Sequence, residues 1–229
     1  SRLGCPEEKV VKLTDSKLSD FKQASKSLKP LALGITYKKP PSDISYFQGQ
    51  DDDAFKTDGN ITKKDIRALT LSELKSFGSE VLWDIGAGSG SISIEWCLGH
   101  PKNVAFAIER RRDRISLIKA NRKKFGLQER LTVKHGSIET IAKDLPTPNA
   151  VFIGGGVTSD LIYQVIKALG KNSRLVINAV TLESQALLLK KYKQFGGNLK
   201  KINISKPKPI GGKTIWSAQY NIIQWSFKT

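Results

Sequence analysis

The chain has 229 residues, 39% hydrophobic and 26% charged, so it is long and apolar enough to bury a core in one large domain. Its 19 glycines and 9 prolines exclude a collagen-like or low-complexity chain, and no apolar run approaches the roughly 20 residues that span a bilayer. Nearly all of the net charge of +17 lies in residues 61–229, where 28 basic residues outnumber 12 acidic ones, so an anionic ligand or partner is expected.

Cysteine and histidine usage limits the chemistry further. Cys5 and Cys97 cannot form a disulfide framework, and no signal peptide opens the chain, which together favour a reducing, cytoplasmic location. The two histidines are too few and too far apart for a metal site, so no metal is expected. Because the chain contains no methionine, Ser1 is not expected to be the native start.

Residues 1–54 are predicted to be an N-terminal extension or linker. Glycines and prolines interrupt this segment, and only residues 31–35 have the character of a short strand. The acidic run at residues 51–53 is typical of a solvated surface.

From residue 55 onward the pattern is that of a folded domain. Residues 62–65 predict a capping box that starts a helix. Buried strands are predicted at 81–85, 104–108, 131–133, 150–153 and 175–177. Helices are predicted after the glycine loop that follows the first strand, at 114–125, at 161–169 with Ser159 as its cap, and at 182–195. Two further strands, near 199–204 and 214–225, close the chain.

This alternation of strands and helices predicts an α/β fold. Strand–helix–strand units form a mainly parallel sheet, here of seven strands, with helices on both faces. The last two predicted strands have no helix between them, so one of them should run antiparallel at the sheet edge.

A glycine-rich loop follows the first strand and carries the clearest chemical signal. Residues 84–91 place Gly86, Ala87, Gly88, Ser89 and Gly90 between a strand and a helix, where backbone approaches a ligand closely. Glu109 ends the next strand, 23 residues after Gly86. A carboxylate at that position is expected to accept from the hydroxyls of an adenosine ribose.

The spacing favours S-adenosylmethionine (SAM) over NAD or FAD. A dinucleotide loop requires a third glycine where Ser91 stands, and Asp84 would repel a pyrophosphate. The same acid suits a ligand with a positive amine and sulfonium. A glycine turn without any ligand is the remaining alternative, and it leaves Glu109 unexplained.

The loops after the fourth and fifth strands are candidates for cofactor, substrate and catalytic contacts. Gly154, next to the cofactor, and Gly155 and Gly156, next to the substrate, form a ledge without the side chains that amine methylases use to hold a nitrogen. Past the fifth strand, Asn178, Thr181 and Glu183 are candidate catalytic residues. Their alternative roles are a turn cap, a helix N-cap and a helix-dipole partner respectively.

Five motifs in this order identify a family resemblance. They are WDIGAGSGSISIEW (83–96), AIER (107–110), FIGGG (152–156), NAVTLE (178–183) and GGKT (211–214). Together they closely resemble the decarboxylating precorrin-6Y C5,15-methyltransferases and the cobalt-precorrin C15-methyltransferases of cobalamin biosynthesis. The resemblance runs from about residue 55 to the C-terminus.

The resemblance implies a class I SAM-dependent methyltransferase with a Rossmann-like fold that removes CO₂ from the ring C acetate of a precorrin and methylates C15. It places SAM contacts at Thr62, the glycine loop, Glu109, Ser137 and Ile138. It also implies a homotetramer. Residues 3–10 resemble the end of a tetrapyrrole C-methylase domain, although an ordinary extension is the alternative.

A precorrin is a small polyanion, and three lysines of a predicted basic loop between the last strands are candidates for binding its carboxylates: Lys206, Lys208 and Lys213. The basic runs at 110–112 and 122–124 are interpreted as solvated helix faces, with contact to the substrate as the alternative. No nucleic acid and no membrane is expected as a partner. An RNA methyltransferase is the alternative function that the charge allows, and a non-catalytic scaffold is a third.

Overall fold

The computed structural model describes residues 48–229. The strand predicted at residues 31–35, the segment at residues 3–10 and Cys5 lie outside the described residues.

The predicted alternation of strands and helices is confirmed. In chain order the elements are a 3-10 turn (Asp52–Ala54), α1 (Lys64–Leu74), β1 (Val81–Ile85), α2 (Ser91–Leu98), β2 (Val104–Glu109), α3 (Arg112–Lys124), β3 (Leu131–His135), α4 (Ile138–Ile141), a second 3-10 turn (Ala142–Asp144), β4 (Ala150–Ile153), α5 (Ser159–Ala168), β5 (Arg174–Ala179), α6 (Leu182–Phe195), β6 (Asn198–Ile202), β7 (Ser205–Ile210), β8 (Lys213–Ala218) and β9 (Ile222–Lys228). Among these described helices, none has the length and apolar character needed to cross a membrane.

Seven strands form one sheet in the order β3-β2-β1-β4-β5-β9-β6. The five strands from β3 to β5 are parallel, and β9 pairs antiparallel with both β5 and β6. The predicted antiparallel strand is therefore present, one place in from the edge, because β6 adds beyond it.

The two faces of the sheet carry separate apolar clusters. On one face, Leu71 of α1, Ile94 of α2 and Ile118 of α3 are buried in one cluster. On the other, Leu161 of α5 and Leu188 of α6 are buried in a second. Side chains alternate between the faces of a strand, so the four central strands β1, β2, β4 and β5 supply residues to both clusters.

The C-terminal region differs from the prediction of two strands. β6 and β9 belong to the main sheet, whereas β7 and β8 form a separate two-stranded hairpin that turns at Gly211 and Gly212. The predicted basic loop is this hairpin. Pro207 and Pro209 argue against a strand at β7 in the sequence, because proline lacks the N–H that a strand interior uses. Each strand of a two-stranded hairpin has an open edge, however, and proline is tolerated there.

Two predicted helix caps were wrong. α1 begins after Lys63, whose side chain makes no capping bond, and the N–H of Lys64 instead donates to Asp52 Oδ1 at 2.9 Å. The acidic run at residues 51–53 is thus not merely solvated, because Asp52 caps α1. On α5 the cap is Thr158 rather than Ser159, with Thr158 Oγ1 accepting from the N–H of Leu161 at 3.1 Å.

A buried ion pair fastens the segment before α1 to the domain. Arg67 of α1 and Glu95 of α2 are both fully buried and bond each other. The guanidinium also donates to the carbonyl oxygens of Gln50 and Thr62 and, at 3.1 Å, to Asp52 Oδ1. The hydrogen bonds that the buried guanidinium makes to Gln50, Asp52 and Thr62 therefore fix the path of residues 50–62.

We expect the start of β6 to tolerate no side chain at Gly197. Gly196 and Gly197 both have positive φ, at 71° and 90°, but only a Cβ on Gly197 would collide with backbone, at the carbonyl oxygen of Ser226 on β9. Gly197→Ala should therefore lower the free energy of unfolding by about 1–3 kcal/mol more than Gly196→Ala, as measured by chemical denaturation. Equal losses would show that β6 does not press on β9 there.

Candidate active site

A cleft opens where the strand order reverses. The chain proceeds from β1 to β2 and β3 on one side and then returns to β4 on the other side of β1, and ligands of open α/β sheets bind at such a point. Two backbone bonds pin the three strand ends together. Gly154 N–H donates to Ile85 O at 3.1 Å, and Gly86 N–H donates to Ile108 O at 2.9 Å. The cleft has a volume of about 310 Å³.

The cleft brings together residues that were predicted separately. Seven predicted site residues line it: Gly86, Glu109, Ser137, Ile138, Gly154, Gly155 and Gly156. The lining residues that were not predicted as site residues are Ile85, Ile108, Arg110, Arg111, Arg114, Gly136 and Leu161. Four separate loops and strand ends thus converge on one cleft.

The glycine loop is shaped by its neighbours as well as by its sequence. Gly90 N–H closes the loop on Ala87 O at 2.8 Å. A Cβ on Gly90 would lie 3.0 Å from Ile118 Cγ2, so α3 packs directly on the loop. Gly88, with φ at +59°, leaves its amide facing Glu109.

Glu109 is held in place by backbone amides. Its Oε2 accepts from Gly88 N–H at 2.9 Å, and its Oε1 accepts from the N–H groups of Arg110 at 2.9 Å and Arg111 at 3.0 Å. A carboxylate offers about four acceptor positions. One position therefore stays open on Oε2, which fits a hydroxyl donor such as a ribose.

Asp84 is a buried carboxylate with an unmet acceptor. Its Oδ2 accepts from Ser93 N–H at 3.1 Å and from Ser93 Oγ at 2.6 Å. Within residues 48–229 no group donates to its Oδ1, and Ser89 Oγ is likewise buried without a hydrogen-bond partner. Burial raises the pKa of Asp84 to about 6, against the lowering effect of the Ser93 bonds. An anion with an open acceptor beside a glycine loop fits an adenosyl ligand that carries positive charge.

Three arginines, of which Arg110 and Arg111 are exposed and Arg114 is half-buried, form a rim on one side of the cleft. Arg110 pairs with Glu139 at 3.4 Å, Arg111 with Asp113, and Arg114 Nε with Asp58 Oδ2 at 3.0 Å. The sequence predicts a solvated helix face at 110–112; Arg110 and Arg111 are exposed, but both precede α3 and line the cleft. The sequence does contain a signal that Arg110 and Arg111 line the cleft: they directly follow Glu109, and residues that follow the carboxyl end of a strand line the ligand crevice.

Thr62 is half-buried before α1, and its carbonyl accepts from Arg67. The segment that leads to it lies against the glycine loop, since a Cβ on Gly88 would stand 3.6 Å from Asn60 O. Contact between Thr62 and a cofactor stays a prediction.

The three candidate catalytic residues have different surroundings. Asn178 Nδ2 donates to Thr70 Oγ1 at 2.9 Å, and Asn178 Oδ1 accepts from Gln224 Nε2 at 3.0 Å, so its amide belongs to a buried network under α1. Thr181 caps α6, as its alternative role predicted, by accepting from Ser184 N–H at 3.3 Å. Glu183 is exposed in the first turn of α6.

The three candidate lysines lie on the hairpin. Lys206, Lys208 and Lys213 occupy one of its faces, because Lys206 and Lys208 are two residues apart and Lys213 pairs opposite Ile210. Lys206 Nζ lies 2.9 Å from Asp65 Oδ2 of α1. None of the three lines the cleft that the described residues form.

Burial of Asp84 predicts an unusual pH dependence of the ligand-free protein. The folded state takes up this proton near pH 6 and the unfolded chain near 3.8, so stability falls as the pH rises from about 4 to about 6. Two pH units between these values correspond to about 3 kcal/mol as an upper bound. The variant Asp84→Asn should lack this fall in chemical denaturation measured between about pH 4 and pH 7.

The exposed Asp113 supplies a control of opposite sign, because its hydrogen bond to Arg111 lowers the pKa of Asp113. Its contribution to stability is lost as the pH falls, and Asp113→Asn should remove that loss. A wild-type protein whose stability does not differ from that of Asp84→Asn in its pH profile would contradict the burial of a charged Asp84.

Comparisons with known proteins agree with this geometry. A family model for a precorrin methyltransferase domain matches residues 53–229. The precorrin-6Y C(5,15)-methyltransferase [decarboxylating] of a Sinorhizobium species is 45% identical over 180 residues, which are 78% of this chain and 43% of that protein. A probable cobalt-precorrin-6B C(15)-methyltransferase (decarboxylating) of Methanococcus maripaludis is 32% identical over 158 residues, which are 68% of this chain and 84% of that protein. The chain spans less than half the length of the precorrin-6Y relatives that it matches.

Solved structures place the fold. The C-terminal domain of precorrin-6Y C5,15-methyltransferase from Rhodobacter capsulatus superposes with a TM-score of 0.77 at 43% identity, covering 81% of this chain and 100% of that one. A tRNA (m1A58) methyltransferase from Aquifex aeolicus, at 16% identity and a TM-score of 0.58 over 76% of this chain and 72% of that one, shares the fold alone. The matched family model and the fold together show that the chain belongs to the precorrin methyltransferase family, with the class I fold of SAM-dependent methyltransferases.

Proposed function

We propose that residues 55–229 are a SAM-dependent C-methyltransferase that methylates C15 of a precorrin and removes CO₂ from its ring C acetate. One observation carries the proposal: Gly86 of the glycine loop, Glu109 and the glycine ledge line a single cleft, and Glu109 also accepts from Gly88 N–H of that loop. Family membership supports the substrate class. The alternative of an RNA methyltransferase rests on charge and on a shared fold, neither of which is specific to RNA.

The residues of the cleft divide the recognition of SAM between them. Glu109 Oε2 takes a ribose hydroxyl, and Ser137 and Ile138 bound the adenine end. Asp84 lies buried two residues before Gly86, and its negative charge attracts the positive amino-acid end of SAM more strongly in that low-dielectric position than it would in water. Bound there, SAM supplies an electrophilic methyl group.

The glycine ledge suits a flat, bulky ring. A Cβ on Gly155 or Gly156 would meet nothing within 4 Å, so the ledge presents backbone and open space. Loss of CO₂ from the acetate leaves an electron pair in the conjugated ring, so the chain does not have to supply a strong base. Its work is to align the ring and exclude water, and alignment contributes on the order of 7–11 kcal/mol in favourable cases.

Asn178, Thr181 and Glu183 are proposed at the substrate side with unequal roles. The Asn178 amide is engaged by Thr70 and Gln224, which suits positioning of the loop after β5. Glu183 keeps an exposed carboxylate, whose pKa is lowered by its own backbone N–H and by the Thr181 hydroxyl. It therefore acts near neutral pH as an acceptor rather than as a proton donor.

The substrate and the cofactor are tested together by incubating the protein with SAM and precorrin-6B. Mass spectrometry should show a product that has lost one CO₂ and gained one methyl group, and calorimetry should show binding of SAM. Glu109→Ala should weaken SAM binding by about 1.5–3 kcal/mol, the range for hydrogen bonds to a charged group. Glu139→Ala, which removes a rim acid of the same sheet edge, should leave SAM affinity within about twofold. Turnover of an RNA and of no precorrin would overturn the proposal.

The length of the relatives supports a proposal about the whole polypeptide. The precorrin-6Y relatives extend well beyond the matched region, and residues 3–10 resemble the end of a tetrapyrrole C-methylase domain. We therefore place residues 1–54 as the link to such a domain, which would methylate C5.

We propose a homo-oligomer, with a tetramer as the state that the family resemblance favours, and the exposed hairpin supports association of subunits. All six residues of β7 are exposed, and Trp216 on β8 is 76% exposed. We propose that its tryptophan face meets a second copy of this chain, while the lysine face orients the carboxylates of the substrate. The cysteine usage supports a cytoplasmic location.

The two faces of the hairpin can be tested separately. Replacing Lys206, Lys208 and Lys213 with Gln should raise the KM for precorrin about tenfold at low salt, less at high salt, and leave SAM affinity unchanged. Trp216→Ser should instead shift the sedimenting species toward the monomer at micromolar concentration. A monomeric wild-type protein, or lysine variants with an unchanged KM, would contradict the respective assignment.

A further inference from the structure

A buried side-chain amide outside the predicted site bonds both to the glycine loop and to the segment that lies beside it. Asn121 lies on α3 and is fully buried. Its Oδ1 accepts from Lys56 N–H at 2.7 Å, and its Nδ2 donates to Lys56 O at 2.8 Å and to Ser89 O at 2.9 Å. One side chain thus bonds to the backbone of two segments that are 33 residues apart in sequence.

The orientation of this amide follows from its partners. Lys56 N–H requires an acceptor, and the two carbonyl oxygens require donors, so the opposite orientation would lose all three bonds. Both N–H groups of Nδ2 are used. The three contacts fit an amide and neither a carboxylate nor a hydroxyl.

The first of these segments, residues 56–62, forms a strap beside the glycine loop. Beyond Lys56, Asp58 Oδ2 accepts from Arg114 Nε at 3.0 Å at the rim of the cleft. Asn60 O lies 3.6 Å from where a Cβ of Gly88 would stand. The strap ends at Thr62, whose carbonyl is held by the buried Arg67.

The second segment is the glycine loop itself, and α3 supports it at two points on one helical face. Ile118 packs on Gly90, and Asn121, three residues later, holds the carbonyl of Ser89. Residues three apart on a helix share a face. The same face of α3 therefore fixes the loop and, through Lys56, the start of the strap.

We propose that Asn121 is a positioning residue. It sets the spacing between the strap and the glycine loop and thereby the shape of the cleft that receives the adenosyl cofactor. The inference rests on the proposed function for the identity of the cofactor. It assigns Asn121 no contact with cofactor or substrate. Its effect passes through the Ser89 carbonyl on one side and the Lys56 peptide group on the other.

The test replaces Asn121 with Asp, which keeps the size and the acceptor but loses both donors. Asn121→Asp should weaken SAM binding in calorimetry by about tenfold or more, since two backbone carbonyls lose their donors. Hydrogen exchange of the amides of residues 56–62 should become about tenfold faster in the ligand-free protein. The second readout requires neither SAM nor turnover.

Asn103→Asp is the matched control. Asn103 is equally buried, donates to Ser76 Oγ at 2.7 Å and Trp96 O at 2.9 Å, and accepts from Glu80 N–H at 3.3 Å, but it lies before β2 at the opposite end of the sheet. It should lower the Tm about as much as Asn121→Asp while leaving SAM affinity within about twofold. Equal losses of affinity in the two variants would reduce Asn121 to general stability and overturn the proposal.

The remaining outcomes are also decisive. A wild-type protein that binds no SAM would contradict the proposed function, and unchanged hydrogen exchange of the strap in Asn121→Asp would separately overturn the positioning role of Asn121. If Asn121→Asp does not fold, Asp58→Asn loosens the strap at its exposed attachment to Arg114 and should both speed exchange of residues 57–60 and weaken SAM binding. An Asp58→Asn protein with wild-type exchange and affinity would overturn the role of the strap.

Discussion

The buried ion pair between Arg67 and Glu95 is the interaction on which the cofactor side of the domain depends. Removing two charges from water costs several kcal/mol per ion unless their hydrogen-bonding positions are filled. Here backbone fills them: Gly49 and Gln50 donate to Glu95, and the guanidinium reaches the carbonyls of Gln50 and Thr62. The backbone before α1 therefore takes the place of water around the buried charges. These hydrogen bonds fix the path of the chain that leads into the strap and the position of Thr62 at the end of the strap.

Polar groups near the glycine loop are of two kinds: some are fully hydrogen-bonded within the chain, and two are buried without a partner. The first kind comprises Asn121, Arg67 and Glu95, whose hydrogen bonds within the chain hold the segments on either side of the glycine loop in place. Asp84 Oδ1 and Ser89 Oγ, at the loop itself, are buried without partners. Because the polar groups around them are already bonded to one another, these two atoms have no partner in the described residues, and their burial costs free energy in the ligand-free protein. A site that is destabilising by itself and well supported around it is what cofactor binding requires.

The sequence predicted what depends on neighbours in the chain and missed what depends on distant ones. Apolar runs and the loop after β1 are local patterns, and so is the cap that Thr181 makes three residues away. The cap of α1 comes instead from Asp52, twelve residues upstream of Lys64, and the Asn121 side chain bonds to Lys56 across 65 positions. Seven of the predicted site residues meet in the cleft because parallel strands bring their carboxyl ends to one edge, a rule that sequence order alone can use. A single polar residue among the basic ones of α3 gives no such signal.

The hairpin connects the charge of the chain to its proposed assembly. A two-stranded hairpin is marginally stable by itself in water, and here β7 has no buried residue. Its link to the body of the domain includes the ion pair of Lys206 with Asp65, and exposed pairs of this kind contribute under about 1 kcal/mol. In the proposed assembly, a second subunit gives the tryptophan face the apolar cover that it lacks within the described residues. Because the lysines occupy the opposite face of the same two strands, any contact that fixes the tryptophan face also fixes where the positive charge points. In the proposed enzyme, assembly and orientation of an anionic substrate are then two consequences of ordering one hairpin.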